Sequence, residues 1–130
     1  MNPRPHSAIV LFAHGARDPE WANPFAAIKT RIERELPGVP VALAFLEFMS
    51  PTLDQAVDVL VAGGADMIDV VPVFMARAGH VKRDLPLLVE ALRGAHPRVS
   101  IRLAPAVGEV DPVIDAIAGW VVALARRPSA

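Results

Sequence analysis

The chain has 130 residues, a formal charge of -1 at pH 7 and no cysteine. That length suits one domain rather than two independent cores. A near-neutral balance argues against a basic nucleic-acid or membrane-surface footprint, and the lack of thiols removes disulfides, thiolate metal sites and cysteine nucleophiles.

Hydrophobic residues make up 53% of the chain and charged residues 21%, so there is ample material for a core. Residues 1–7, with two prolines and His6, are expected to form a flexible lead into one domain over 8–127. The apolar run that follows meets His14 and Arg17 too soon for a signal peptide or a bilayer span, so a cytoplasmic protein is expected.

Ser7 to Ala13 is a short apolar run rich in branched residues, the pattern of a strand buried on both faces. Phe25, Ile28, Ile32 and Leu36 then fall on one helical stripe, with Asn23-Pro24 as a capping residue before a first-turn proline and Gly38 after the end. Val39 to Phe45 is the second strand. Ser50-Pro51 predicts another capped helix, carrying Leu53, Val57, Leu60 and Val61 and ending at Gly63-Gly64. Met67 to Phe74 is the third strand. Asp84 is expected to cap a helix running to Ala95, with Pro86 in its first turn and Gly94 at its end. Val99 to Leu103 is the fourth strand, and Asp111-Pro112 opens a last helix through Ile114, Ile117, Val121 and Leu124. Strands joined by helical crossovers run parallel, so the fold class is α/β: a single domain with a four-stranded parallel sheet flanked by helices. The edges of so small a sheet, and helices that leave it partly uncovered, favour self-association.

In an open parallel sheet, ligands bind beyond the carboxyl ends of the strands. The first such loop carries His14, Gly15, Arg17 and Asp18; the second carries Glu47; the third, Met75 to Asp84, carries Arg77, Gly79, His80, Lys82 and Arg83; the fourth offers Glu109. The topology thus brings His14 and His80 to one mouth, although 66 positions separate them. Imidazole suits borderline ions such as cobalt, iron, nickel or zinc, and two imidazoles with at most one carboxylate leave coordination positions open. A local role in capping a loop is the alternative for either histidine. Glu47 follows an apolar strand, so it is either paired, protonated or facing a cleft, or else a solvated loop acid. Arg17, Arg77, Lys82 and Arg83 can receive a polyanion, or form a solvated rim offset by Asp18 and Asp84. Gly15 and Gly79 permit a tight turn or close approach of the backbone to a ligand. His6 and His96, Trp21, Trp120 and the methionines are read as terminal, helix-end or packing residues. No phosphate-binding glycine motif and no nucleophile elbow is present, which leaves nucleotide-driven chemistry without a motif.

Three segments carry a resemblance. They are Phe12-Ala13-His14-Gly15-Ala16-Arg17-Asp18-Pro19; Ala44-Phe45-Leu46-Glu47-Phe48 with Ser50-Pro51; and Val71-Pro72-Val73-Phe74 leading into Gly79-His80-Val81-Lys82-Arg83-Asp84-Leu85-Pro86. In this order, over about the first two thirds of the chain, they resemble the small-type sirohydrochlorin chelatases, the cobaltochelatases and ferrochelatases of cobalamin and sirohaem synthesis. The resemblance implies a chelatase-like domain that acts as a homodimer and inserts Co2+ or Fe2+ into sirohydrochlorin without ATP. It implies metal binding by His14 and His80, support from Glu47, and no cofactor beyond the substrate metal, with Ni2+ insertion as a variation. Ala16 stands where these proteins commonly carry serine. A metal carrier, or a tetrapyrrole-binding protein that uses the same histidines, is the reading from another class.

Overall fold

A computed structural model describes residues 6–76 and 79–128, the side chain of His80 excepted. Strand β1 (Ser7–Ala13) is followed by a 3-10 turn (Pro19–Ala22) and helix α1 (Asn23–Glu35). Strand β2 (Val41–Phe45), helix α2 (Leu53–Ala62), strand β3 (Met67–Pro72) and helix α3 (Gly79–Ala95) come next. Strand β4 (Ser100–Leu103), a second 3-10 turn (Val107–Glu109) and helix α4 (Asp111–Arg126) complete the order. The strands form one parallel sheet in the order β2-β1-β3-β4. All four expected strands and all four expected helices are therefore present.

Because side chains alternate along a strand, the sheet has two distinct faces. Ala8, Val10, Phe12, Ala44, Ile68, Val70 and Ile101 pack with α2 (Leu53, Ala56, Val57, Leu60) and α3 (Leu85, Val89, Leu92) into the main core. Burying one such large side chain is worth about 1.5–3 kcal/mol, so this face supplies most of the stability. On the other face Leu11, Ala13, Val41 and Phe45 are buried, and α1 lies against β2. Towards β3 and β4 that face opens: Ile9 and Val71 are half-buried, and Asp69 and Arg102, directly opposite in register, pair in solvent at 2.6 and 2.8 Å. The hydrogen bonds that Arg102 donates to Asp69, and then the charge of that carboxylate, raise the guanidinium above its ordinary pKa.

The helices arise where expected, but their starts differ. The 3-10 turn ahead of α1 is capped by Asp18, which accepts from the Glu20 amide at 3.0 Å. The chain thus enters α1 already helical at Ala22, and Asn23 is not its cap. At α2 the cap is Thr52, not Ser50: its hydroxyl accepts from the Gln55 backbone amide while the Gln55 side-chain oxygen accepts from the Thr52 backbone amide, a reciprocal capping box. Asp111 lies inside the first turn of α4, where a carboxylate meets the positive helix end, and Val110 precedes it with no side-chain cap.

The start of α3 is the largest difference. It begins at Gly79 rather than after Asp84, so Pro86 sits in the helix interior. Proline there removes one rung of the helical ladder. Burial of Leu85, Val89 and Leu92, with Val81 and Leu88 packed against them, offsets that loss.

Helix α4 has no buried residue. Its contacts are chiefly with the 3-10 turn at its base. Ile114, Ile117, Trp120, Val121 and Val122 are exposed, with Trp120 at 64%. The expectation that Trp120 and the methionines are packing residues is therefore corrected for Trp120 and for the exposed Met75. Trp21 does pack, its ring 4.6 Å from that of Phe25. His96 joins Asp58 at 2.9 Å, which ties the end of α3 to α2. Among the described residues no helix is long and apolar enough to cross a membrane.

Candidate metal and tetrapyrrole site

The carboxyl ends of the strands are tied together by backbone bonds that continue beyond the sheet. The Leu46 amide donates to the Ala13 carbonyl at 2.9 Å and the Glu47 amide to the His14 carbonyl at 3.0 Å, so the first and second loops close on each other. The Val73 amide donates to the Phe12 carbonyl at 2.8 Å and the Gly108 amide to the Phe74 carbonyl at 2.9 Å, which brings in the third and fourth loops. Two glycines make this closure possible. A β-carbon on Gly15 would stand 1.9 Å from the Glu47 carbonyl oxygen, and Gly15 has φ +91°; one on Gly108 would stand 1.9 Å from the Met75 carbonyl oxygen.

His14 stands at the centre of this edge. Its ring stacks on Phe74, with centroids 4.2 Å apart and planes at 28°. Phe74 is buried against Phe12 at 5.9 Å, so an aromatic column rises from the core to an exposed imidazole. Stacking engages the face of the ring and leaves its nitrogens free. Among the described residues neither nitrogen has a hydrogen-bond partner, and neither does the carboxylate of exposed Glu47. These are donors that can turn to an ion.

Beside the column lies a cleft of about 280 Å³ lined by Phe12, Leu46, Val81, Asp84, Leu85 and Leu88. Its walls are apolar apart from Asp84, as suits a conjugated ring edge. Helix α3 thus turns its 81/84/85/88 face to the cleft. At 3.6 residues per turn, Lys82 falls on the flank of that face and Arg83 on the far side; both are exposed. Arg17 is exposed as well, with its guanidinium carbon 4.8 Å above the Phe48 ring. Gly79, with φ +58°, is the first residue of α3.

The structure thus brings His14, Gly15, Glu47 and the α3 start to one edge. His80 is the second residue of α3 rather than part of a loop, but its side chain lies outside the described residues, as does Arg77. Among the described residues no three histidine or acidic side chains converge as a metal cage. Two participants escaped the sequence reading. Phe74 looked like the end of a strand, and only its distance to His14 marks it as a support. Phe48 looked like a loop neighbour of Glu47, and no sequence signal gives its left-handed backbone, φ +65°.

The model of a protein family described as CbiX matches residues 8–121, well past the segments that carried the resemblance. A sirohydrochlorin ferrochelatase of Priestia megaterium is 29% identical over 109 residues, 83% of this chain and 41% of the relative. Among solved structures, a CbiX protein from Marinobacter aquaeolei VT8 is 30% identical with TM-score 0.81, covering 94% of this chain and 99% of that one. The sirohydrochlorin chelatase SirB from Bacillus subtilis subspecies spizizenii, in complex with cobalt, is 26% identical with TM-score 0.75, covering 95% of this chain and 55% of that one. The chain spans less than two thirds of the length of the curated relatives it matches.

Proposed function

Because this chain belongs to the CbiX family, we propose that it inserts Co2+ or Fe2+ into sirohydrochlorin without consuming a nucleotide. The observation that carries the reading is His14, exposed at the carboxyl edge of the sheet, stacked on Phe74 and without a hydrogen-bond partner on either ring nitrogen among the described residues, next to the apolar cleft that Phe12 lines. His14 and His80 are assigned to the ion, which keeps positions open for the pyrrole nitrogens. As the metal replaces both inner N–H protons, the Glu47 carboxylate and an imidazole that has released the ion accept them and pass them to water. The cleft takes one edge of the macrocycle, and Arg17 and Lys82 meet its peripheral carboxylates. Gly15 serves by letting the first two loops close. The chemistry belongs to the cytoplasm, with no nucleic-acid or membrane partner.

A cleft of about 280 Å³ lies below the usual ligand-pocket range of about 300–1,000 Å³. It is too small to enclose a tetrapyrrole, and this favours a homodimer in which a second subunit completes the site. The exposed apolar face of α4 and the open sheet face at Asp69 and Arg102 are the surfaces such an assembly has to cover. Wild-type protein is expected to sediment as a dimer and the Ile117→Glu/Val121→Glu variant as a folded monomer, because both positions are already exposed in the single chain. A wild-type monomer at micromolar concentration would remove the dimer from the proposal.

The functional test is an absorbance assay of sirohydrochlorin with Co2+, Fe2+ or Ni2+ in turn, each against a protein-free control. Many turnovers per chain support a chelatase. Transfer of one metal per chain without turnover makes the protein a carrier, and pigment binding without metallation makes it a tetrapyrrole-binding protein.

A further inference from the structure

We propose that Phe48 is a positioning residue of the substrate site: it holds the Arg17 guanidinium ready to receive a peripheral carboxylate of the macrocycle. This rests on the functional reading above.

Phe48 has φ +65°, a region in which a residue bearing a β-carbon crowds its own following carbonyl oxygen and which glycine or asparagine normally fills. Residues held in such conformations cluster at ligand sites, where surrounding structure enforces them. Here the enforcing contact is the tie from the Glu47 amide to the His14 carbonyl, one residue upstream. The strained turn sends the Phe48 ring outwards, leaving it 58% exposed, although buried Phe45 lies three positions away. Ordinary packing would turn an aromatic ring inwards.

What the exposed ring meets is a cation. The Arg17 guanidinium carbon lies 4.8 Å from the ring centroid, inside the range of cation–π attraction. No carboxylate pairs with Arg17 among the described residues, and the neighbouring Asp18 is engaged with the Glu20 amide. The choice of partner has a chemical consequence. A carboxylate would hold the arginine but neutralise it and occupy its forked donors. An aromatic face restrains the guanidinium and leaves both its charge and its N–H edge free, so the entropy of ordering it is spent before a ligand arrives. Arg17 and Phe48 also flank a shallow groove of about 330 Å³ with Ala16, Met49 and Ser50, which gives an acidic side arm a place to lie. Both residues follow closely on the tied pair His14 and Glu47, so a carboxylate seated there sets the register of the ring against the imidazole.

The test is absorbance titration of two metal-free pigments, sirohydrochlorin and the same macrocycle with its carboxylates esterified, against wild type, Phe48→Leu, Phe48→Tyr and Phe48→Gly. Phe48→Leu is expected to weaken binding of the acid about three- to tenfold, the scale of a lost cation–π contact, and to raise KM by as much. Its kcat should stay within about twofold, because uniform binding is what is lost. Phe48→Tyr should restore binding, and the ester should bind wild type and Phe48→Leu equally. Phe48→Gly relieves the backbone, so its thermal stability should hold or rise while acid binding weakens; a merely structural role predicts the opposite. Unchanged acid binding by Phe48→Leu, or an equal loss for the ester, overturns the inference alone. Wild-type protein that binds neither pigment overturns the functional reading and this inference together.

Discussion

Replacing His14 with alanine is expected to lower metal insertion by about 100-fold or more, the usual scale for loss of a proton-transfer group, before the lost metal ligand is counted. The fold should survive. His14 is exposed, and among the described residues its packing is the stack on Phe74, worth about 0.5–1.5 kcal/mol for an aromatic pair. A His14→Phe variant separates the two roles, since it keeps a ring over Phe74 but has no nitrogen. It should match wild type in urea unfolding and match His14→Ala in inactivity. His80→Ala should show the same loss, and the double variant little more than either single one, because residues that act as a unit on one ion are strongly non-additive. Turnover of the double variant at the wild-type rate would end the two-histidine assignment.

Gly15→Ala is expected to cost about 2–5 kcal/mol, combining about 1–2 for a left-handed backbone with about 1–3 for overpacking. The clash is with backbone: the new β-carbon would meet the Glu47 carbonyl oxygen at 1.9 Å, and no rotamer can relieve it. The first and second loops must then part, which breaks the bond from the Glu47 amide to the His14 carbonyl and displaces His14 and Glu47 from their proposed places. Insertion should fall with stability. Gly79→Ala is the control, since it also has positive φ but open space around it, and should cost only about 1–2 kcal/mol. Equal urea midpoints for the two variants would mean that the loop contact at Gly15 is not what closes the site.

These expectations draw unequally on sequence and structure. The strand runs were plain in the text because branched apolar residues flanked by helical stripes fit one arrangement, a parallel sheet with crossovers. The edge of that sheet followed as the place for His14 and Glu47. Caps were less legible. Asn23, Ser50 and Asp111 have capping side chains, yet a cap needs an extended backbone at the point of entry. That conformation is found elsewhere: at Asp18 ahead of the 3-10 turn, at Thr52 and at Val110. The α3 start is not legible in the sequence because Pro86 reads as a first-turn proline, whereas burial of Leu85, Val89 and Leu92 carries the helix through it.

The order of residues by itself determined the class of fold, the helix and strand periods and the two histidine-bearing segments, since these depend on local periodicity and on rules of chain connection. Tertiary structure alone decided that Phe74 lies under His14, that Phe48 is turned out beneath Arg17, that Gly15 must admit a carbonyl, and that α4 stands with its apolar face uncovered. Each of these is a distance or an angle between segments far apart in the chain, or a backbone state enforced by such contacts, and local preference carries no information about either.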